Sequence, residues 1–94
     1  MAAYLISRLD VSDPAAIAEY ARRAPESIER YGGKYLVRRG DVTVLEGEWN
    51  PTLVIVEFPT VEAARQWYAS PEYQAVRHSL FRGAERDLVI VDGA

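Results

Sequence analysis

The run TLVIVEFP, residues 52–59, is β-branched and apolar on both of its faces and is interrupted only by Glu57. That is the pattern of a central strand covered on two sides. Residues 4–9 repeat it at period two, with Leu5, Ser7 and Leu9 alternating with Tyr4, Ile6 and Arg8, and so does the LVIV of RDLVIVDG at 88–91. The intervening segments read as helices, and helices laid on one side of a sheet cover only that side. A chain of 94 residues has little else to place on the other. A second copy of the same sheet is the simplest cover, so the sequence predicts a homodimer.

Between the strands, local signals place the helices. In VSDPAAIAEYARR, Ser12 or Asp13 can act as N-cap and Pro14 suits the first turn, which needs no donor. The apolar stripe continues through Ile17, Tyr20 or Ala21, Ala24, Ile28 and Tyr31. Pro25 falls inside it and predicts a kink or local break near residues 22–24, and Gly32-Gly33 predicts the end. The segment KYLVRRGDVTVLEGEW predicts a β-hairpin turning at Gly40-Asp41, with an added strand or ribbon near residues 42–47. Thr60 caps a helix over VEAARQWYA; Ser70 ends it and caps the next, which has Pro71 at its first position. The order β-α-β-β-α-β predicts a single domain over residues 1–94, a ferredoxin-like α+β sandwich.

Composition removes several classes of function. Eleven basic and fourteen acidic side chains give a net charge of −3 with no basic run, a poor footprint for nucleic acid. The absence of cysteine rules out disulfides, thiolate metal sites and a cysteine nucleophile. No apolar run approaches membrane-spanning length, and Arg8 and Asp10 come too early for a signal peptide, so the expected location is the cytoplasm. No dinucleotide, P-loop, zinc-protease or serine-hydrolase motif occurs, and no cofactor is implied.

The stretches YGGKYLVRRG (31–40), VLEGEW (44–49), LVIVEFPTVEAARQWYASPEYQ (53–74) and DLVIVDG resemble, in order and spacing, the domain-of-unknown-function family 1330 (DUF1330) of the dimeric α+β barrel superfamily. The resemblance implies a ferredoxin-like protomer whose sheet meets its twin face to face, forming a barrel. The wider superfamily includes cofactor-free monooxygenases, lactone isomerases, haem-degrading enzymes and stress-induced proteins, so it implies an architecture and not a reaction. This chain has Arg38-Arg39-Gly40 where such sequences often read Arg-Gly-Gly.

Glu57 stands out because a carboxylate within an apolar strand needs a partner or solvent. Arg8, Arg38 or Arg39 could pair with it structurally; otherwise it is the first candidate for a general acid or base. His78 is the single histidine, off the Tyr73, Val76, Leu80 stripe, and reads either as a surface residue or as a proton shuttle at a rim. One imidazole with no thiolate does not make a metal site. In RQWYASPEYQAVR the Ser70-Pro71 restart lets Trp67, Tyr68 and Tyr73 converge, either as ordinary core or as the wall of a small-ligand pocket with Glu57 beneath. Trp67, Tyr73, Arg38 and Arg39 are the expected ligand-binding residues, and Trp49 is assigned to the pocket rim or the dimer interface. The resulting expectation is a cofactor-free binder or enzyme, of monooxygenase or isomerase type, for a small hydrophobic or aromatic molecule. The competing expectation is a non-catalytic structural or stress-response dimer.

Overall fold

Seven elements follow one another in the computed structural model, which describes residues 1–49 and 52–94. They are β1 (Ala3–Val11), α1 (Ala18–Arg30), β2 (Lys34–Gly40), β3 (Thr52–Phe58), α2 (Val61–Ala69), α3 (Pro71–Leu80) and β4 (Ala84–Asp92). The strands form one antiparallel sheet in the order β2-β3-β1-β4, with β3 and β1 at its centre. This is the ferredoxin-like α+β arrangement that the element order predicts.

Strand alternation divides the side chains cleanly. Ala3, Leu5, Ser7 and Leu9 of β1 and Val56 and Phe58 of β3 are buried on the inner face, beneath the helices. Trp67, Tyr73, Val76 and Ile28 complete the main core from above. On the outer face a row of apolar side chains runs across all four strands through Val37, Ile55, Ile6 and Val89, each paired in register with the next. Val89 and Val91 are 51% and 44% exposed, so this face is open in the protomer.

The junction at Ser70 behaves as its local chemistry dictates. Ser70 has extended backbone, its Oγ accepts from Tyr73 N at 3.2 Å, and Pro71 takes the first position of α3. Thr60 caps α2 by accepting from Ala63 N at 3.0 Å. Gly32, at φ +85°, closes α1 in the left-handed conformation that favours glycine.

Three expectations need correction. The first helix does not start at Ser12 or Asp13: residues 14–17 form turns, and α1 begins at Ala18 after Ile17, which makes no side-chain cap bond. The N–H groups of Ser12 and Asp13 and the Ser12 hydroxyl all donate to the Gly83 carbonyl, tying this corner to the connection before β4. Pro25 does not break α1, which continues from Ala18 to Arg30 with Ala24, Ser27 and Ile28 buried around the proline. No hairpin turns at Gly40-Asp41 and no strand or ribbon lies at 42–47. β2 pairs instead with β3, and Leu45 projects 90% exposed from the connection. The β-branched run 52–58 offers β2 a longer apolar partner than the short segment next to it in sequence.

Candidate functional site

Small side chains on α1 leave space above the sheet. Ala21, Ala24 and Pro25 face the inner strands where larger residues would fill the gap, and α1 packs more closely on α3 than on the sheet. The result is a cavity of about 250 Å³ between α1 and the sheet. Its walls are largely apolar, with Leu5, Leu9, Val54, Val56 and Leu88 below and Ile28 and Trp67 at the side. Its polar groups are few: Ser7, Tyr20, Tyr35, Arg38, Arg39 and Arg86. Few polar groups on apolar walls is the usual make-up of a small-molecule site.

Arg86 is the deepest of these charges. It lies on the inner face of β4, opposite Leu9 of β1. Its guanidinium donates to the Tyr20 hydroxyl at 2.6 Å and to the Tyr73 hydroxyl at 2.5 Å, and the two hydroxyls lie 3.1 Å apart. Burial opposes the charge on Arg86, but the two phenol oxygens outweigh it and hold the guanidinium's pKa above its ordinary value. Burial likewise pushes the Tyr20 phenol well above its ordinary range, against the lowering influence of Arg86. The Tyr35 phenol is raised too, again chiefly by burial. A charged arginine beside a neutral Tyr20 is therefore the resting state near neutral pH.

The α2–α3 corner fixes two of these groups. Ser70 Oγ donates to the Trp67 carbonyl at 2.6 Å, so one serine holds the end of α2 and the start of α3. The Trp67 indole donates to Ser27 Oγ of α1 at 3.0 Å, and Ser27 in turn donates to the Ala24 carbonyl at 2.7 Å. The ring centroids of Trp67 and Tyr73 are 4.1 Å apart, and Tyr68 lies 5.6 Å from Tyr73. The three aromatics of the corner converge, with Trp67 lining the cavity and Tyr73 reaching Arg86 at its edge.

Arg38 and Arg39 line the same cavity although they are consecutive. Alternation would send them to opposite faces, but β2 bulges against β3 there: Arg38 opposes Val54 and Gly40 opposes Leu53, leaving Arg39 as the extra residue at φ 57°. Bulges commonly re-aim side chains in this way, and a non-glycine residue in the left-handed region costs on the order of 1 kcal/mol or more. Arg38 also stacks on Tyr35, its guanidinium 5.0 Å from the ring centroid.

The other two expected site residues lie elsewhere. Glu57 is on the outer face, between Tyr4 of β1 and Lys34 of β2, so the expectation that it sits beneath Trp67 and Tyr73 is corrected by the phase of β3. Among the described residues none forms an ion pair with it. His78 is exposed on α3 and does not line the cavity. Trp49 lies over Arg8, 5.1 Å from guanidinium to ring centroid, on the outer side of the sheet, where Arg8 also pairs with Asp87 at 2.9 Å. Ser7, Tyr20 and Arg86 were missed. The signal for Arg86 is in the sequence: in AERDLVIVD it shares a period-two row with Ala84, Leu88 and Ile90, a charge on an apolar face.

A four-stranded antiparallel sheet with helices on one face and a cavity beneath the first helix defines a ferredoxin-like α+β protein with a candidate site between α1 and the sheet. The chain belongs to the family described as a domain of unknown function (DUF1330), which matches residues 2–94. No curated protein matches it significantly. Among solved structures it is similar to a protein of unknown function from Rhodopseudomonas palustris, with a TM-score of 0.75 and 20% identity over 99% of this chain and 82% of that one. It is also similar to SnoaB, a cofactor-independent oxygenase from Streptomyces nogalater, with a TM-score of 0.67 and 15% identity over 99% and 93%. A dimeric ferredoxin-like protein of unknown function from Jannaschia sp. CCS1 has a TM-score of 0.66 and 13% identity over 99% and 100%. At such identities the likeness is one of fold.

Proposed function

We propose that the protein is a homodimer in which each protomer holds a small aromatic or hydrophobic molecule between α1 and the sheet, with no cofactor. The observation that carries this reading is the cavity of about 250 Å³ with apolar walls and a half-buried arginine inside it. A dry apolar cavity of about 150 Å³ accepts benzene, so this one has room for a ring and a short substituent. Trp67 supplies an aromatic wall, Tyr73 holds Arg86, and Arg38 and Arg39 stand at the rim. Pairing through the outer faces draws support from the apolar row through Ile6 and Ile55 and from the dimeric relative of the same fold. The fold shared with SnoaB favours cofactor-free oxygenase chemistry as the reaction class, with Arg86 placed to stabilise negative charge developing on a ligand oxygen. Glu57 and His78 have no part in this reading.

A thermal-shift screen with small aromatic and quinone-like compounds tests it, run on the wild type and on Ala24→Leu, which fills the cavity from α1. A ligand present at about 100 times its Kd adds about 2.7 kcal/mol. In a domain of this size that raises Tm by roughly 10 °C or more. Compounds that shift the wild type and leave Ala24→Leu unmoved support the site. No shift with any compound, or equal shifts in both proteins, would leave the aromatics as packing and the protein as a non-catalytic dimer.

A further inference from the structure

The polar groups of the cavity are unbalanced in one direction. Among the described residues its lining includes three arginines and no carboxylate. Among the described residues no acidic side chain lies within ion-pair distance of Arg86. A guanidinium has five N–H groups; the bonds to Tyr20 and Tyr73 engage two of its nitrogens and leave further N–H groups unmatched. The tyrosines add to the surplus. Both hydroxyl oxygens accept from Arg86, and only one hydroxyl proton can be used between them, so the other has no acceptor in this cluster.

Ser7 points the same way independently. It is 4% exposed, lines the cavity, and its Oγ is buried without a hydrogen-bond partner among the described residues. A buried unpaired hydroxyl is costly, and such groups call for an explanation. Ser7 faces Leu88 across the β1–β4 pair, and Arg86 is two residues from Leu88, which makes Ser7 and Arg86 diagonal neighbours on the inner face. Donors from β1, β4 and the tyrosines are thus left on the inner face with no acceptor for them among the described residues.

On the reading that this cavity is a binding site, we propose that its ligand is an acid: a singly charged carboxylate on an aromatic or hydrophobic body. The carboxylate receives the unmatched N–H groups of Arg86, with the Ser7 hydroxyl and the spare tyrosine proton as further donors. A carboxylate suits this set because its two oxygens offer about four acceptor positions and meet a guanidinium in a planar fork. One deep charge in apolar walls matches one negative charge, and the rest of the ligand lies against Trp67, Val54, Val56 and Ile28. Arg38 and Arg39 at the rim attract such an anion during entry.

The test compares 3-phenylpropanoate with 3-phenylpropanamide, which have nearly the same shape and differ in charge, by calorimetric titration at neutral pH. The wild type is expected to bind the carboxylate at least tenfold more tightly than the amide. In Arg86→Gln, which keeps a donor toward the tyrosine hydroxyls, that preference is expected to fall below twofold, and Arg86→Lys is expected to restore part of it. Ser7→Ala is expected to weaken the carboxylate several-fold and to change the amide less. The carboxylate/amide ratio in the wild type needs no variant to fold. Equal affinity for the two compounds would overturn the acidic ligand while leaving the cavity as a binding site, as would a preference that survives Arg86→Gln. Failure of both compounds to bind at millimolar concentration would overturn both readings.

Discussion

The inner and outer faces of the sheet are built from the same strands and differ in how their polar groups are held. Across the inner face, Arg38, Val54, Ser7 and Leu88 form one row and Leu9 and Arg86 begin the next. The deepest charge there, on Arg86, is fixed by tyrosines from two different helices. Across the outer face, Val37, Ile55, Ile6 and Val89 form an unbroken apolar row, flanked by Lys34, Glu57 and Tyr4 on one side and by Arg8 and Asp87 on the other. Its charged side chains are exposed or half-buried. A few deeply placed donors, some without an acceptor among the described residues, suit a small ligand, whereas a broad apolar row with charges at its margins suits a second sheet.

The largest effect expected from breaking this division is on assembly. Ile55→Asp places a carboxylate at the centre of the outer row, and on the proposed pairing it is buried twice in a two-fold dimer without a partner. Sedimentation at micromolar concentration is expected to give twice the chain mass for the wild type and the chain mass alone for the variant. A wild-type monomer would end the account of the outer face.

On the inner face the largest loss is expected at Trp67, which is 1% exposed, bonded to Ser27 and packed on Phe58 and Tyr73. Trp67→Ala is expected to cost about 3–5 kcal/mol in urea unfolding. A loss below 1 kcal/mol would mean that the corner does not depend on it.

Tyr20 gives a smaller, pH-dependent effect. Burial raises its phenol above the ordinary 10.0, so the unfolded chain gives up this proton at a lower pH than the folded one. Its contribution is whole below about pH 10 and is lost as pH rises above that. The wild-type Tm should therefore fall more steeply than that of Tyr20→Phe between about pH 9 and about pH 11. Parallel curves would contradict the burial of that hydroxyl.

Ser70→Ala is expected to cost about 1 kcal/mol, the usual value of an N-cap. A loss well above that would show that its second bond, to the Trp67 carbonyl, adds to the stability of the corner.

What could be read from the sequence follows the range of the interactions involved. The Ser70-Pro71 junction, the Thr60 cap and the Gly32 terminus depend on neighbours within a turn, and all three stand as predicted. Both sheet faces were legible from period-two alternation in 4–9 and 53–58. Strand pairing is not local, and there a hairpin after Gly40 was expected where β2 reaches across to β3. The site failed for a similar reason. Glu57 drew attention as a charge in an apolar run, but the phase of β3 turns it away from the helices, while Arg86, the same kind of exception in β4, faces them. Residue type flagged the anomaly, and only the register assigned it a side. The cavity itself depends on the small residues Ala21, Ala24 and Pro25 standing over the inner strands, a juxtaposition no single segment encodes.

The two tryptophans of the chain stand on opposite sides of the sheet, Trp67 against the cavity and Trp49 against Arg8 on the outer side. They allow the division of labour between the faces to be measured directly. In Trp49→Phe, where Trp67 is the sole indole, titration with 3-phenylpropanoate is expected to give a saturable change in emission with the same Kd as calorimetry on the wild type. In Trp67→Phe, where Trp49 reports alone, emission should stay flat over the same concentrations. A saturable signal from Trp49 with none from Trp67 would place the ligand on the outer side and contradict the central claim.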